Sequence, residues 1–96
     1  MKPSEALNKY REEIRRVVQS HHAINPRVFG SVLRGEDVEG SDLDLLVDPL
    51  PKATLFDLGA IQIELQEKLG MSVDVLTLGD LPQKFREYVL KEATPI

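Results

Sequence analysis

Three aspartates and one Gly-Ser step carry most of the chemistry open to this chain. Asp42 and Asp44 stand one residue apart in "DLDLLV", residues 42–47, a segment that otherwise reads as a buried β-strand. Successive strand side chains point to opposite faces, so the two acids share one face and Leu43 and Leu45 share the other. A later segment, "MSVDVLTL" at 71–78, alternates in the same way, with Val73 and Val75 turned inward and Asp74 outward. If the two strands are neighbours, all three carboxylates meet. Carboxylates within about 4 Å of one another repel by roughly 4 kcal/mol per pair at an effective dielectric of about 20. Near neutral pH a hard divalent cation is the natural counterweight, and Mg²⁺ favours carboxylate oxygens together with phosphates and water. Two such ions about 3.5–4 Å apart stabilise attack and departure in phosphoryl-type transfer.

Gly30 and Ser31 fit the other half of that chemistry. A glycine after the strand "RVFG", residues 27–30, lets backbone approach a bulky anion, and amides at the start of the next turn point toward it. Ser31 adds a hydroxyl, and Arg34 adds positive charge suited to a polyphosphate. Ser41, beside the first aspartate, is a weaker candidate for the same role. Each piece alone is commonplace: Asp-x-Asp recurs in many chains, Gly-Ser is mostly a turn, and a lone arginine is mostly solvated. The ordered set is far more specific.

The elements that must position these groups are readable from periodicity. Residues 4–22 read as a helix capped by Ser4, with Leu7, Tyr10, Ile14, Val17, Val18 and His21 at helical spacing. Asn25-Pro26 ends that pattern. Residues 31–35 suit a single helical turn before a loop at 36–40. Pro49 and Pro51 close the second strand, since neither donates to a sheet ladder. Thr54 and Asp57 form a capping pair for a helix whose inner stripe is Leu58, Ile61, Leu65 and Leu69, stopped by Gly70. Asp80 with Gln83 repeats the capping pattern, and Phe85, Tyr88 and Val89 give the last helix an apolar face. The order helix, strand, strand, helix, strand, helix predicts a two-layer α/β fold: a small mixed or largely antiparallel sheet with helices on one face.

With 96 residues the chain suits one domain, residues 1–96. A hydrophobic share of 42% argues against disorder, and a formal charge of −4 argues against nucleic acid as a direct partner. There are no cysteines, which excludes disulfides and thiolate metal sites and suits a cytoplasmic protein. No secretory leader and no run long enough to span a membrane is expected. His21 and His22 sit near a helix end, where the dipole accounts for them without a metal. Asp48 reads as a turn residue, and Arg11, Arg15 and Arg16 as a solvated face. Tyr88 reads as a core or interface aromatic.

Gly30-Ser31, ten further residues, then Asp42-Leu43-Asp44 resembles the motif of the nucleotidyltransferase superfamily that includes DNA polymerase β. The stretch "GSVLRGEDVEGSDLDLLV" and the short length resemble its minimal nucleotidyltransferase branch. The resemblance runs from the first strand through Asp74. It implies that Asp42 and Asp44 hold Mg²⁺, and that Asp74 completes the triad and helps activate an acceptor hydroxyl. It implies that Gly30 and Ser31 hold the triphosphate of ATP. Minimal members are often antitoxins that move AMP onto a tyrosine of a helical HEPN-type ribonuclease toxin, so the resemblance implies such a toxin as the partner. Two other readings keep their place: a binding module that masks the toxin without catalysis, and a transferase acting on RNA or a small molecule.

Overall fold

The computed structural model describes residues 1–96. Four strands form one mixed sheet, with helices packed against it. In chain order the elements are α1 (Pro3–Lys9), α2 (Arg11–Ser20), β1 (Ala23–Phe29), β2 (Leu43–Pro49), α3 (Leu55–Leu69), β3 (Val73–Leu76), α4 (Gln83–Glu92) and β4 (Thr94–Pro95). The sheet order is β3-β2-β1-β4. β1 runs antiparallel to β2 and β4, while β2 and β3 are parallel. A parallel pair needs a crossover, and α3 provides it.

The core forms where alternation places it. Leu43, Leu45, Val47, Val73 and Val75 join Val28 from the sheet with Ile14, Val17, Val18, Ile61, Leu65 and Leu69 from α2 and α3. Leu46, on the opposite face of β2, is also fully buried and lies outside this cluster.

α3 is built as the sequence predicts. The Asp57 amide donates to Thr54 Oγ1 at 3.3 Å, the Thr54 amide donates to Asp57 Oδ2 at 2.9 Å, and Gly70 ends the helix at φ +69°. The helix also protects the sheet edge. Val73 and Val75 turn their amides away from β2 and donate them to Gln66 Oε1 and Gln62 Oε1, at 3.3 and 3.0 Å. Two glutamines one turn apart thus satisfy the free edge that β3 would otherwise present.

Six expectations are corrected. The helix expected over 4–22 is two helices, broken at Tyr10 (φ −115°, ψ 23°). Ser4 does not cap it: Pro3 opens α1, and the Ser4 amide donates to Asp37 Oδ2 at 2.9 Å. Asn25-Pro26 does not end the pattern before the first strand but lies inside β1. The pairing with β2 shifts by one residue between Ile24 and Arg27, where Asn25 takes φ +57°. This is a β-bulge, a device that absorbs an unpaired residue and a proline within a strand. Asp48 belongs to β2 and holds the bulge, accepting from Arg27 Nη2 at 2.6 Å and from Asn25 Nδ2 at 3.0 Å. Finally, Asp80 caps a short 3₁₀ turn at Leu78–Asp80 through Thr77, and α4 starts at Gln83 behind Pro82. Only Val89 of α4 is buried; Phe85 and Tyr88 are exposed.

Candidate active site

The acidic site grows out of the β2–β3 pairing. Asp44 and Asp74 are register partners across the two parallel strands, and Phe29 of β1 pairs with Asp44 on its other side. Asp44 is therefore at the centre of the site, with Asp74 beside it and Gly30 following its β1 neighbour. Asp42 lies one residue ahead of β2 and is exposed, whereas Asp44 and Asp74 are half-buried.

The consequence appears in the protonation of Asp44, whose pKa is raised to about 6. Burial is the first cause, followed by the negative charges of Asp74 and Asp42 and a side-chain hydrogen bond with Asp74; Arg34 pulls weakly the other way. The structure thus brings all three sequence-predicted acids within electrostatic reach. They do not, however, converge as a ready three-ligand metal cage. Like charges repel, so mutual approach requires something positive between them.

Gly30 is dictated twice. Its φ of +83° is left-handed, and a Cβ built there would lie 2.5 Å from Asp44 Oδ2. Only glycine lets the backbone turn pass this close to the carboxylate. The turn continues as a 3₁₀ helix over Gly30–Val32, with Leu33 N donating to Gly30 O at 3.1 Å. Ser31 is half-buried within it, and its carbonyl accepts from Arg34 N and Glu36 N.

Arg34 and Ser41 have other partners in this conformation. Arg34 Nε donates to Glu36 Oε1 at 2.6 Å and its Nη1 to Glu92 Oε1 of α4 at 3.2 Å. The Glu36 hydrogen bond is the main reason its pKa is raised. Ser41 Oγ accepts from Val38 N at 3.0 Å, closing the turn that delivers Asp42. Sequence reasoning missed Asp37, which is buried in the same loop. The Ser4 amide ties it to α1 and holds its carboxyl below the ordinary range. Its signal was faint, because nothing local marks one loop acid among several as the buried one.

His21 and His22 are engaged by carboxylates rather than by the helix dipole alone. His21 Nε2 lies 2.6 Å from Glu64 Oε1, and His22 Nδ1 lies 3.4 Å from Asp57 Oδ2. Arg15 is not merely solvated, since its Nε donates to the Ile96 carbonyl at 2.9 Å.

The donor set suits a hard cation. Asp42, Asp44 and Asp74 offer only carboxylate oxygens, and the close glycine turn leaves backbone rather than side chain facing Asp44. The site thus sets an acidic pair on adjacent strands beside the Gly-Ser turn. The chain matches the family described as "Polymerase beta, Nucleotidyltransferase" over residues 12–96 and belongs to it. A protein of Methanocaldococcus jannaschii described as a candidate protein adenylyltransferase is 33% identical over 90 residues, covering 94% of this chain and 97% of that one. Protein adenylyltransferase MntA of Thermococcus cleftensis is 37% identical over 65 residues, covering 68% of this chain and 66% of its own length. A solved candidate minimal nucleotidyltransferase superimposes with a TM-score of 0.87 at 42% identity, over 97% of this chain and 95% of that one. A toxin–antitoxin structure with AMP-PNP shares the fold, with a TM-score of 0.73 at 17% identity over 88% of this chain and 69% of that one.

Proposed function

We propose that the chain is a Mg²⁺-dependent adenylyltransferase that moves AMP from ATP onto a hydroxyl of a partner protein. The acceptor in this reading is a tyrosine of a HEPN-type ribonuclease toxin, and the chain is its antitoxin, acting in the cytoplasm. The observation that carries the reading is the register pairing of Asp44 with Asp74 beside a glycine that admits no side chain. Protein as acceptor is supported by relatives that carry the name protein adenylyltransferase. The toxin partner draws on the fold shared with a toxin–antitoxin structure. No helix is long and apolar enough to cross a membrane.

The residues divide the work by position. Asp42, Asp44 and Asp74 would hold Mg²⁺. When bound, the metal supplies charge neutralisation for the triphosphate and for the oxygens that gain charge during transfer. The Gly30-Ser31 turn presents backbone amides to the phosphates. Arg34 joins them by leaving Glu36 and Glu92. Asp74 accepts the proton as the acceptor oxygen bonds to the α-phosphorus and pyrophosphate departs. A positioned base of this kind contributes about 10²–10⁴-fold to rate.

Calorimetry tests the metal arm: Mg²⁺ should greatly raise ATP affinity, and the double variant Asp42→Asn with Asp44→Asn should lose that gain. Equal Mg²⁺-ATP binding by wild type and the double variant would remove these residues from the nucleotide site. A wild type that adds no mass to its partner yet still neutralises it would favour masking.

A further inference from the structure

Asp37 is the one charged residue that the fold buries, and nothing in the proposed chemistry uses it. It lies in the segment that joins the two halves of the site. Residues 33–42 contain neither helix nor strand, with the Gly30–Val32 turn before them and β2 after them. A buried charge is costly unless it is paired or hydrogen-bonded. Asp37 finds its partner in α1, where the Ser4 amide donates to Oδ2 at 2.9 Å. First-turn amides of a helix lack intrahelical acceptors, and Lys2, at the cap position, has no acceptor in its side chain. A carboxylate 33 residues further along the chain therefore caps the helix.

One end of this contact is fixed, because α1 buries Pro3, Ala6 and Leu7. From Asp37 the loop is then tied in both directions. Toward the Gly-Ser turn, the Glu36 amide donates to the Ser31 carbonyl at 3.0 Å. Toward the first aspartate, the Val38 amide donates to Ser41 Oγ and the Ser41 amide to the Val38 carbonyl, each at 3.0 Å. Asp42 follows directly, and the ladder that aligns Asp44 with Asp74 begins only at Leu43. The sheet therefore places Asp44 and Asp74, whereas the loop places Asp42.

We propose that Asp37 is a positioning residue for the acidic site: by fixing the loop at 36–41 to α1, it sets Asp42 against Asp44 and Asp74. The inference rests on the reading of these acids as metal ligands. Removing a group that holds a metal ligand in place typically costs about 10–100-fold in metal affinity. Asp37 acts one step further back, through the loop, so the low end of that range is expected. Asp37→Asn keeps an acceptor oxygen of the same reach, and Asp37→Ala removes it.

Two measurements on one set of variants test the proposal. Amide hydrogen exchange by NMR reads the loop without metal or nucleotide. The Glu36 and Ser41 amides should exchange about tenfold faster in Asp37→Ala, the scale of one lost hydrogen bond to a charged group, and stay close to wild type in Asp37→Asn. Calorimetry reads the site: Asp37→Ala should lose about tenfold in Mg²⁺-ATP affinity while metal-free ATP affinity holds. Asp48→Ala, weakened near the other end of β2, controls for stability alone and should match wild type in both measurements. Asp37→Glu, which keeps the charge and lengthens the link by one methylene, takes the place of the alanine variant if that chain does not fold. Unchanged loop exchange in Asp37→Ala would overturn the proposal. So would Mg²⁺-ATP binding at the wild-type level, or a control that loses as much. A wild type with no Mg²⁺-dependent gain would overturn the metal reading and this role with it, even where exchange shows that Asp37 holds the loop, so the two failures are told apart.

Discussion

Asp44 has a cost that the proposed function explains. Its pKa is raised, so between the ordinary value of 3.8 and about 6 the folded chain binds the proton more tightly than the unfolded chain. Stability contributed by protonated Asp44 is complete below the ordinary value and is lost as pH rises through about 6. A shift of this size corresponds to at most about 3 kcal/mol, and partial exposure lowers that to about 1–2. Asp44→Asn should therefore raise the thermal midpoint of the metal-free protein at pH 7.5 and change little at pH 4, while abolishing the Mg²⁺-dependent gain in ATP affinity. Unfolding curves at the two pH values check it, and a destabilised variant at pH 7.5 would show that Asp44 is structural. Gly30→Ala should cost about 1–2 kcal/mol from its left-handed backbone alone, before the contact with Asp44 is counted. Arg34 is held by Glu92 in this conformation, so Glu92→Gln should tighten nucleotide binding about two- to fivefold, read by calorimetry. At this scale the placement of the acids was legible. Alternation placed Asp42, Asp44 and Asp74 correctly because a one-residue slip would have turned Leu43 and Leu45 to solvent. The partners of Arg34 and Ser41 were not legible, since Glu92 lies far along the chain and Ser41 closes its turn through Val38.

The elements that hold these residues depend on long-range pairing. α3 was readable because both of its ends are written locally, by Thr54 with Asp57 and by Gly70. β1 was readable only in its last residues, since Asn25-Pro26 imitates a break and becomes a bulge when Asp48 is present to hold it. Tyr10 gave no sign of the break between α1 and α2, because it fits the apolar stripe of one continuous helix. β4 spans only Thr94–Pro95, too short for any period to show. The bulge yields a prediction at this scale. Asp48→Ala should lower stability by about 1–2 kcal/mol through loss of the contacts to Arg27 and Asn25. Urea unfolding should show a lower midpoint with an unchanged slope, and a change below about 0.3 kcal/mol would mean that the bulge holds without Asp48.

For the whole molecule, the two faces of the sheet divide the roles: α2 and α3 cover the main core on one side, and the half-buried acids lie on the other, beside the buried Leu46. That arrangement lets a chain of 96 residues keep a thin core intact while holding mutually repelling carboxylates at its surface. The central claim is that those carboxylates transfer AMP to a protein, and that Asp74 takes the acceptor's proton. The most direct measurement is the intact mass of the co-purified partner after incubation with Mg²⁺ and ATP, using wild type and Asp74→Asn, a nearly isosteric change. The wild type should add one AMP unit or a ladder of them, and Asp74→Asn should dock the partner yet transfer about 10²–10⁴-fold more slowly. A wild type that leaves the partner's mass unchanged, or an Asp74→Asn chain that transfers at the wild-type rate, would contradict it.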